Sequence, residues 1–346
     1  MRIWRAVAVR TQRRVRGLLR TFGVLVGLAV VGVVAAGLWF RHEVSGDRSY
    51  PRATVRVVVP RGATGHDIAR LLAKNGVIAS PLTFELLARL RHEQSAMKAG
   101  EFRFEPRRTE DEVLRAIVDG GAQIAVWVTI PEGFTAKEIA RALADRGLGS
   151  EATFAYTFAH ESLEVSGVQT PSLEGYLFPD SYLIPTGADA AHIAKIFTDA
   201  FRAKLPRDAS ARAKALGLTV PQVVTLASLV EREAKVDSER PLMAGVYYNR
   251  LRLHMPLEVD ATIEYTFPKH KTAITYADLA IDSPYNTYKY AGLPPTPIAN
   301  PGAASLEAAF HPKASSYLYY VYAGNGRSAF ARTLAEHNAN VARYLH

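Results

Sequence analysis

The sequence contains no cysteine among its 346 residues, so disulfide bonds and thiol chemistry are both excluded. It also has no acidic side chain in its first twenty residues, which carry seven arginines: Arg2, Arg5, Arg10, Arg13, Arg14, Arg16 and Arg20. The remainder holds 35 basic side chains (42 − 7) against 33 acidic ones, so the net charge of +9 belongs mainly to the N-terminus. Because the body is close to neutral and has no nucleic-acid-binding motif, we expect no nucleic-acid partner.

Charged side chains are also absent from residues 21–40, TFGVLVGLAVVGVVAAGLWF, which lie between Arg20 and Arg41. A helix of this length spans about 30 Å, enough to cross the apolar core of a bilayer. Trp39 and Phe40 stand where an interfacial aromatic belt is found. We therefore predict a transmembrane helix over 21–40, with the Arg-rich tail 1–20 in the cytoplasm and the body exported. A cleaved signal peptide is the alternative, but the apolar stretch is longer than usual and no small-residue cleavage site follows it.

An internal similarity at a spacing of 71 residues marks the next part of the chain. Residues 57–76, VVVPRGATGHDIARLLAKNG, align with residues 128–147, VTIPEGFTAKEIARALADRG. Each copy predicts a strand, a Pro-x-Gly turn, a threonine and an amphipathic helix that closes on glycine. We predict a polar tether over 41–54 followed by a compact α+β module. The pattern alone fits a binding module and a structural spacer equally well.

The remaining chain alternates helical patterns with one long irregular segment. Helices are predicted over 189–217 as a pair, over 219–235 and over 240–255, and a strand of alternating aromatics is predicted in SYLYYVYAG. Residues 256–302 are rich in Pro, Tyr, Asn and Thr and show little periodicity. Because a long irregular segment in a compact domain usually carries function, we expect this one to line the site.

The predicted helix 219–235 carries two carboxylates, Glu231 and Glu233, which lie about 200° apart around its axis. Glu231 has Lys235 as its i+4 neighbour, an arrangement that stabilises the ionised form. Glu233 lies beside the apolar side of the helix and has Asp237 at i+4. An apolar wall and a like charge both raise a carboxyl pKa, as a general acid requires. A solvated helix flank remains open for either residue, but if one of them is catalytic this asymmetry selects Glu233.

Three longer segments resemble the endolytic murein transglycosylases, also called the MltG or YceG-like family. They are LVEREAKVDSERPLMAGVYYNRLRLHMPLEVDATIEY, LEGYLFPDSY and SPYNTYKYAGLPPTPIANPGAASLEAAFHP. The resemblance implies an α+β protein with one N-terminal membrane helix, a LysM-like module within 41–124 and a mixed α/β catalytic domain over 125–346. It also implies that the second glutamate of the pair, Glu233, is the catalytic residue. This chain departs from many relatives at Ala234, Glu258 and Ala261, where they have Thr, Gln and Pro.

The resemblance further implies a reaction and a location. The family cleaves the β-1,4 bond between N-acetylmuramic acid and N-acetylglucosamine within nascent glycan strands and leaves a 1,6-anhydro end, which terminates strand elongation. The implied enzyme is a lyase that needs neither metal nor cofactor, and its partners are peptidoglycan strands and peptidoglycan synthases (penicillin-binding proteins). The implied location is the bacterial inner membrane, held through residues 21–40, with the catalytic domain in the periplasm.

Polar and aromatic residues around Glu233 are candidates for contacts with sugar or for support of the site. They are Glu174, Glu231, Tyr247, Asn249, Asp260, Thr262, Tyr265, Asn286, Thr287 and Tyr288. Asp180 is a further candidate for lining the cleft. Two other functions remain open: a muramidase that uses water, with Asp260 or Glu258 as the second carboxylate, and a membrane-anchored wall-binding scaffold without catalysis.

Overall fold

The structure, a computed structural model, describes residues 25–42, 44, 53–60, 62–267, 271, 274–324 and 326–345. These residues form two compact units. One extends to Ile124 and includes Pro185–Gly187, and the other comprises Ala125–Ile184 and the chain from Ala188 onward. The predicted cytoplasmic tail 1–20, residues 21–24 of the predicted span and most of the tether 41–54 lie outside the described residues.

An apolar helix, α1 (Leu25–His42), is the first element among the described residues. Its mean hydropathy is 1.7 over 18 residues, and none of this window is buried within the protein. Its length and composition are compatible with a single membrane-spanning anchor.

The first unit is a small α+β fold, in the order β1 (Val55–Val59), α2 (Gly65–Lys74), α3 (Pro81–Leu90), β2 (Gly100–Phe104) and α4 (Glu110–Asp119). The two strands are antiparallel, with Val57 opposite Phe102. Helix α2 begins at a capping box in which the Thr64 hydroxyl accepts the Asp67 amide and the Asp67 carboxylate accepts the Thr64 amide. The core draws on both strands and all three helices: Val57, Val59, Ile68, Leu72, Phe84, Leu87, Phe102, Phe104, Val113, Leu114 and Ile117.

The second unit is mainly helical and has three two-stranded sheets, formed by β3 with β6, β4 with β5, and β7 with β8. Its elements are β3 (Ala125–Thr129), α5 (Ala136–Asp145), α6 (Glu151–His160), β4 (Glu164–Val165), β5 (Val168–Gln169), β6 (Ser181–Pro185), α7 (Ala190–Lys204), α8 (Ala209–Ala215), α9 (Val220–Glu233), α10 (Arg240–Arg252), α11 (Asp260–Glu264), α12 (Ala303–Phe310), β7 (Tyr319–Tyr322), β8 (Ser328–Ala331) and α13 (Leu334–Tyr344).

Both copies of the sequence repeat fold locally as predicted. The first is β1 and α2, and the second is β3 and α5, which begins at a capping box of the same kind between Thr135 and Glu138. The threonine in each copy ends the turn because its hydroxyl accepts an orphan amide of the first helical turn.

Helix α9 is the centre of the second unit. Thr219 and Gln222 form a capping box at its start, and almost every residue from Val220 to Val230 is buried. The helix contacts α8, α10, α11 and α12, which explains why little of its middle part faces solvent. It ends at Glu233, and Ala234 turns to an extended conformation (φ −72°, ψ 126°). The two glutamates therefore lie on the last turn of a buried helix.

Candidate active site

Glu233 lies where α9 leaves the core, at the junction of three elements. Its side chain is partly buried. The Tyr320 hydroxyl of β7 donates to Glu233 Oε2 over 3.2 Å, and the amide of Ala261 in α11 also hydrogen-bonds the carboxyl. The carboxyl is thus held by donors from two elements that are distant in sequence.

The surroundings raise the pKa of Glu233. Burial is the main cause, and the negative charge of Asp260 adds to it, while the Tyr320 and Ala261 donors and Lys235 act in the opposite direction. The predicted direction is therefore correct, but the like charge comes from Asp260 and not from Asp237. Because the helix ends at Glu233, helical i+4 spacing does not extend to Asp237 or to Lys235.

Tyr320 belongs to a short chain of phenols. Its hydroxyl lies 2.8 Å from that of Tyr247, and burial raises the pKa of both phenols well above their usual value. They therefore stay neutral and can act as donors, with Tyr247 donating to Tyr320 and Tyr320 donating to Glu233. Tyr320 was not among the site residues predicted from the sequence. The alternating pattern of SYLYYVYAG placed it on a strand but gave no sign of a partner 87 residues away.

Asp260 is exposed at the start of α11 and accepts a hydrogen bond of 2.5 Å from the Tyr288 hydroxyl. The segment before it is fixed from within: the Thr287 hydroxyl accepts the Val259 amide at 3.0 Å and lies 2.9 Å from the Thr262 hydroxyl. Both threonines are buried. Their observed contacts thus position Asp260, and any contact between either threonine and a sugar stays a prediction.

Glu231 points to the opposite side of the helix end and makes a buried ion pair. Its Oε1 lies 3.3 Å from the Arg240 guanidinium, and its Oε2 accepts the Gly302 amide over 2.9 Å. The two side chains are only 6% and 9% exposed. Arg240 also bonds Asp237 and the Ser305 hydroxyl. The expected pairing of Glu231 with Lys235 is therefore wrong, because Ala234 leaves the helix and turns Lys235 to solvent.

Tyr247, Asn249 and Asn286 are buried, and their polar atoms have partners within the protein. The Asn249 amide donates to the carbonyls of Ser315 and Tyr317 and so holds the chain that leads into β7. Asn286 donates to two carbonyls of the irregular segment and accepts two amides from it. These contacts give the side chains supporting roles, and a direct contact of any of them with sugar remains a prediction.

Glu174 is a buried carboxyl that forms no ion pair with a cationic side chain in the described part of the chain. It accepts hydrogen bonds from the Ala136 amide (3.0 Å), the Asn300 side-chain amide (3.1 Å) and the Tyr265 hydroxyl (3.2 Å). Asn300 in turn accepts the amides of Gly175 and Leu177. This network ties the start of α5, the loop before β6 and the loop before α12 together. Asp180, by contrast, is exposed and bonds the amide of its neighbour Ser181.

The buried state of Glu174 makes the stability of the protein depend on pH. Burial raises its pKa from 4.5 to about 8. The unfolded chain therefore releases this proton near pH 4.5 and the folded chain only near pH 8. The protonated Glu174 therefore adds to the free energy of unfolding. This stabilisation is complete below pH 4.5 and is lost as the pH rises to about 8.

Between pH 4.5 and about 8, the free energy of unfolding of the wild type should fall by a few kcal/mol because of Glu174, at about 1.4 kcal/mol per pKa unit. We expect Glu174→Gln to remove this part of the pH dependence. The amide keeps the size of the side chain and a carbonyl acceptor but does not titrate. Urea unfolding of the wild type and the variant through the window measures the difference. Parallel curves would show that Glu174 ionises normally in the folded protein.

Two cavities have Glu174 and Tyr265 in their lining. One of about 880 Å³ is lined by residues that include Arg232, Ala261 and Tyr265, and one of about 590 Å³ shares Lys137, Glu174 and Tyr265 with it. Among the residues that the structure describes, no group of three His, Asp or Glu side chains could hold a metal ion.

Comparison with known proteins places this arrangement in a family. The model of the YceG-like family matches residues 57–343. The chain belongs to the YceG-like family. The YceG-like segment thus includes both β-α repeats, α9 with its two glutamates and the hairpin that carries Tyr320.

Two curated relatives are 34% and 30% identical to this chain over the aligned positions. A protein of Bacillus subtilis named endolytic murein transglycosylase is 34% identical over 318 residues, 85% of this chain and 86% of its own length. A protein of the same name from Streptococcus pneumoniae is 30% identical over 359 aligned positions, 92% of this chain and 64% of its own length.

The fold is also shared with a solved YceG-like protein. The crystal structure of a yceG-like protein from Listeria monocytogenes superposes with a TM-score of 0.56 at 30% identity and covers 83% of this chain and 99% of the other. The mixed α+β architecture is therefore that of the YceG-like family.

Proposed function

We propose that this protein is an endolytic murein transglycosylase that cleaves the β-1,4 bond between N-acetylmuramic acid and N-acetylglucosamine in peptidoglycan and leaves a 1,6-anhydro end. The names of the curated relatives support this reaction class. The single observation that carries the chemistry is Glu233, a carboxyl of raised pKa at the end of a buried helix and within reach of a hydroxyl donor.

Glu233 can serve both halves of such a reaction. Burial and the charge of Asp260 favour its protonated form, so it can give a proton to the leaving glycosidic oxygen. The carboxylate that remains then accepts the proton of the C6 hydroxyl, which closes the anhydro ring. The acetamido group of the substrate can stabilise the oxocarbenium-like centre, so a second catalytic carboxylate is not required.

The Tyr247–Tyr320 pair supports the step in which Glu233 becomes charged. A hydroxyl that donates to Glu233 stabilises the carboxylate more than the acid, and a donor already in place needs no reorganisation when the charge develops. Tyr320 therefore stabilises the ionised form at the moment when it is produced, while burial raises the pKa of Glu233 and so favours the protonated form at rest.

The products distinguish this reaction from hydrolysis. We expect the purified full-length protein to release glycan fragments with 1,6-anhydro ends, which are one water lighter than reducing ends. Mass spectrometry of digested peptidoglycan measures the ratio. Reducing ends alone would identify a muramidase, in which Asp260 is the candidate second carboxylate because its charge acts on Glu233. A protein that releases neither product would be a wall-binding scaffold.

The location of the enzyme is also part of the proposal. The apolar helix α1 and the seven arginines before it support a single-pass anchor in the bacterial inner membrane, with the N-terminus in the cytoplasm and the catalytic domain in the periplasm. A reporter that works only in the cytoplasm, fused after the C-terminus, would be active if the orientation were reversed.

We also propose different roles for the two parts of the exported chain. We assign positioning of glycan to the LysM-like module within 41–124 and chemistry to 125–346, because Glu233 lies in the latter. An anchored site lies close to the strands that membrane-bound penicillin-binding proteins release, which suggests these synthases as partners and termination of strand elongation as the outcome. Failure to cross-link to any such synthase in cells would count against the partnership.

A further inference from the structure

A pair of large apolar side chains lies on the outer face of the sheet formed by β3 and β6. The Thr129 and Ser181 hydroxyls lie 2.8 Å apart, and a main-chain hydrogen bond joins the residue after Thr129 to the residue before Ser181. The strands are therefore antiparallel, and two residues further along each strand Trp127 lies opposite Leu183. Both side chains are exposed, Trp127 to 61% and Leu183 to 53%. Opposite side chains on one face touch, so this is one apolar patch.

The backbone beneath this patch is held firmly by the second unit. Val128 and Ile184, which point to the other side of the sheet, are buried in its core. The Arg146 guanidinium donates to the Trp127 carbonyl over 3.1 Å. The strand that presents the indole is thus ordered before any ligand arrives, so binding carries little cost for ordering it.

The outer face combines an aromatic ring with hydroxyl groups. Thr129 and Ser181 point to the same side of the sheet as Trp127, because side chains two residues apart along a strand share a face. Together we call these side chains the Trp127 face: Trp127, Leu183, Thr129 and Ser181. None of them is charged, and two hydroxyls bonded to each other keep a donor and several acceptor positions for a ligand. A flat ring beside neutral hydroxyls suits a sugar, which has an apolar C–H face and neutral hydroxyl and acetamido groups.

Strand β3 connects the Trp127 face to the candidate active site. The chain continues from β3 to Gly133, whose carbonyl accepts a hydrogen bond of 3.3 Å from the Arg232 guanidinium. Arg232 directly precedes Glu233 at the end of α9. Gly133 follows Trp127 by six residues, so at most about 20 Å of chain separates the indole from the contact with Arg232. A glycan of several sugars held at Glu233 is therefore long enough to reach Trp127.

We propose that the Trp127 face is a remote subsite for the glycan strand, in which the indole stacks on a sugar several residues away from the cleaved bond. The Thr129 and Ser181 hydroxyls bond the polar groups of this sugar. The inference rests on the proposed function for the identity of the polymer and adds a second point of contact with it. Such a contact selects long strands, because a short fragment held at Glu233 does not extend to the indole.

The fluorescence of Trp127 tests this subsite directly. The other tryptophans of the chain are Trp4 and Trp39, so full-length protein with Trp4→Phe, Trp39→Phe and Glu233→Gln keeps one fluorophore and should bind glycan without cleaving it. In phospholipid nanodiscs, acrylamide should quench the exposed indole. Long glycan strands stripped of peptide should remove most of this quenching, whereas the disaccharide repeat at the same sugar concentration should give little protection.

Substitutions of Trp127 measure the strength of the contact in the Glu233→Gln protein. Trp127→Ala should weaken binding of long strands about tenfold, the size of one lost stacking contact, and should leave binding of the disaccharide and the melting temperature unchanged. Trp127→Phe keeps a ring and should recover most of the affinity. Tyr156→Ala removes an exposed aromatic side chain of α6. It is the matched control and should bind long strands as the parent does.

Three outcomes would overturn the subsite. Weaker quenching in nanodiscs than in detergent, without glycan, would show that the membrane surface covers the Trp127 face. Protection that rises with protein concentration would identify a second copy of the chain as the occupant, and quenching that long strands leave unchanged would show that no sugar binds there. The products of the wild-type enzyme test the proposed reaction separately, so 1,6-anhydro ends with an unprotected Trp127 would remove only the subsite.

Discussion

Replacement of Glu233 with Gln is expected to lower the release of 1,6-anhydro-ended fragments by about 10²–10⁴-fold, the usual contribution of a positioned acid–base group. Gln keeps the volume of the side chain and still offers an acceptor to Tyr320, but it can neither give nor take the proton. Because burial disfavours the ionised carboxyl, the neutral amide should leave the melting temperature equal or higher.

The measurement is the initial rate of fragment release from polymeric peptidoglycan by each purified variant. Glu307→Gln makes the same chemical change at an exposed glutamate of α12 and should retain full activity. If Glu231→Gln were inactive and Glu233→Gln active, with both proteins folded, the catalytic assignment would move to Glu231.

Replacement of Arg240 with Ala should destabilise the second unit by about 3–5 kcal/mol, the usual result of removing one partner from a buried ion pair. The Glu231 carboxylate is only 6% exposed and would lose its cation while keeping the Gly302 amide. Since Glu231 and Glu233 share the last turn of α9, activity should fall together with stability.

Urea unfolding of the wild type and the variant gives the difference in free energy. Lys195→Ala, which breaks the exposed Lys195–Asp199 pair of α7, serves as the control and should cost at most about 1 kcal/mol. Exchange of both Glu231 and Arg240 for Met should recover part of the loss, because no buried charge is then left alone. A loss for Arg240→Ala no larger than that of the control would show that water reaches Glu231.

Local patterns in the sequence were sufficient to predict many of the helices and strands. The threonines that precede α2 and α5 and the alternating aromatics of β7 were recognised, since each pattern depends on residues within a few positions. The end of α9 could not be predicted from the sequence, because Ala234 and Lys235 are good helix formers and no Gly or Pro follows directly. The helix stops there for tertiary reasons, and the predicted i+4 pairs failed with it.

The candidate site was predictable only in part for the same reason. The sequence indicated that Glu233 has an apolar environment and a raised pKa, and the structure agrees. The groups that act on it come from other elements: Asp260 from α11 and Tyr320 from β7. Arg240, which holds Glu231, belongs to α10 and was also missed. Contacts between distant segments leave no periodic signal in one sequence.

The enclosure of α9 has a consequence for motion. A helix surrounded by four others opens only when the unit unfolds, so its amides should be among the slowest to exchange with solvent. Tyr320 lies instead on a two-stranded hairpin covered by α13, a helix with no buried residue. That hairpin can detach in a smaller fluctuation. Glu233 and Tyr247, which belong to the buried helices α9 and α10, are thus the fixed members of the hydrogen-bond chain, and Tyr320 is the member whose hydrogen bonds can break within the folded state.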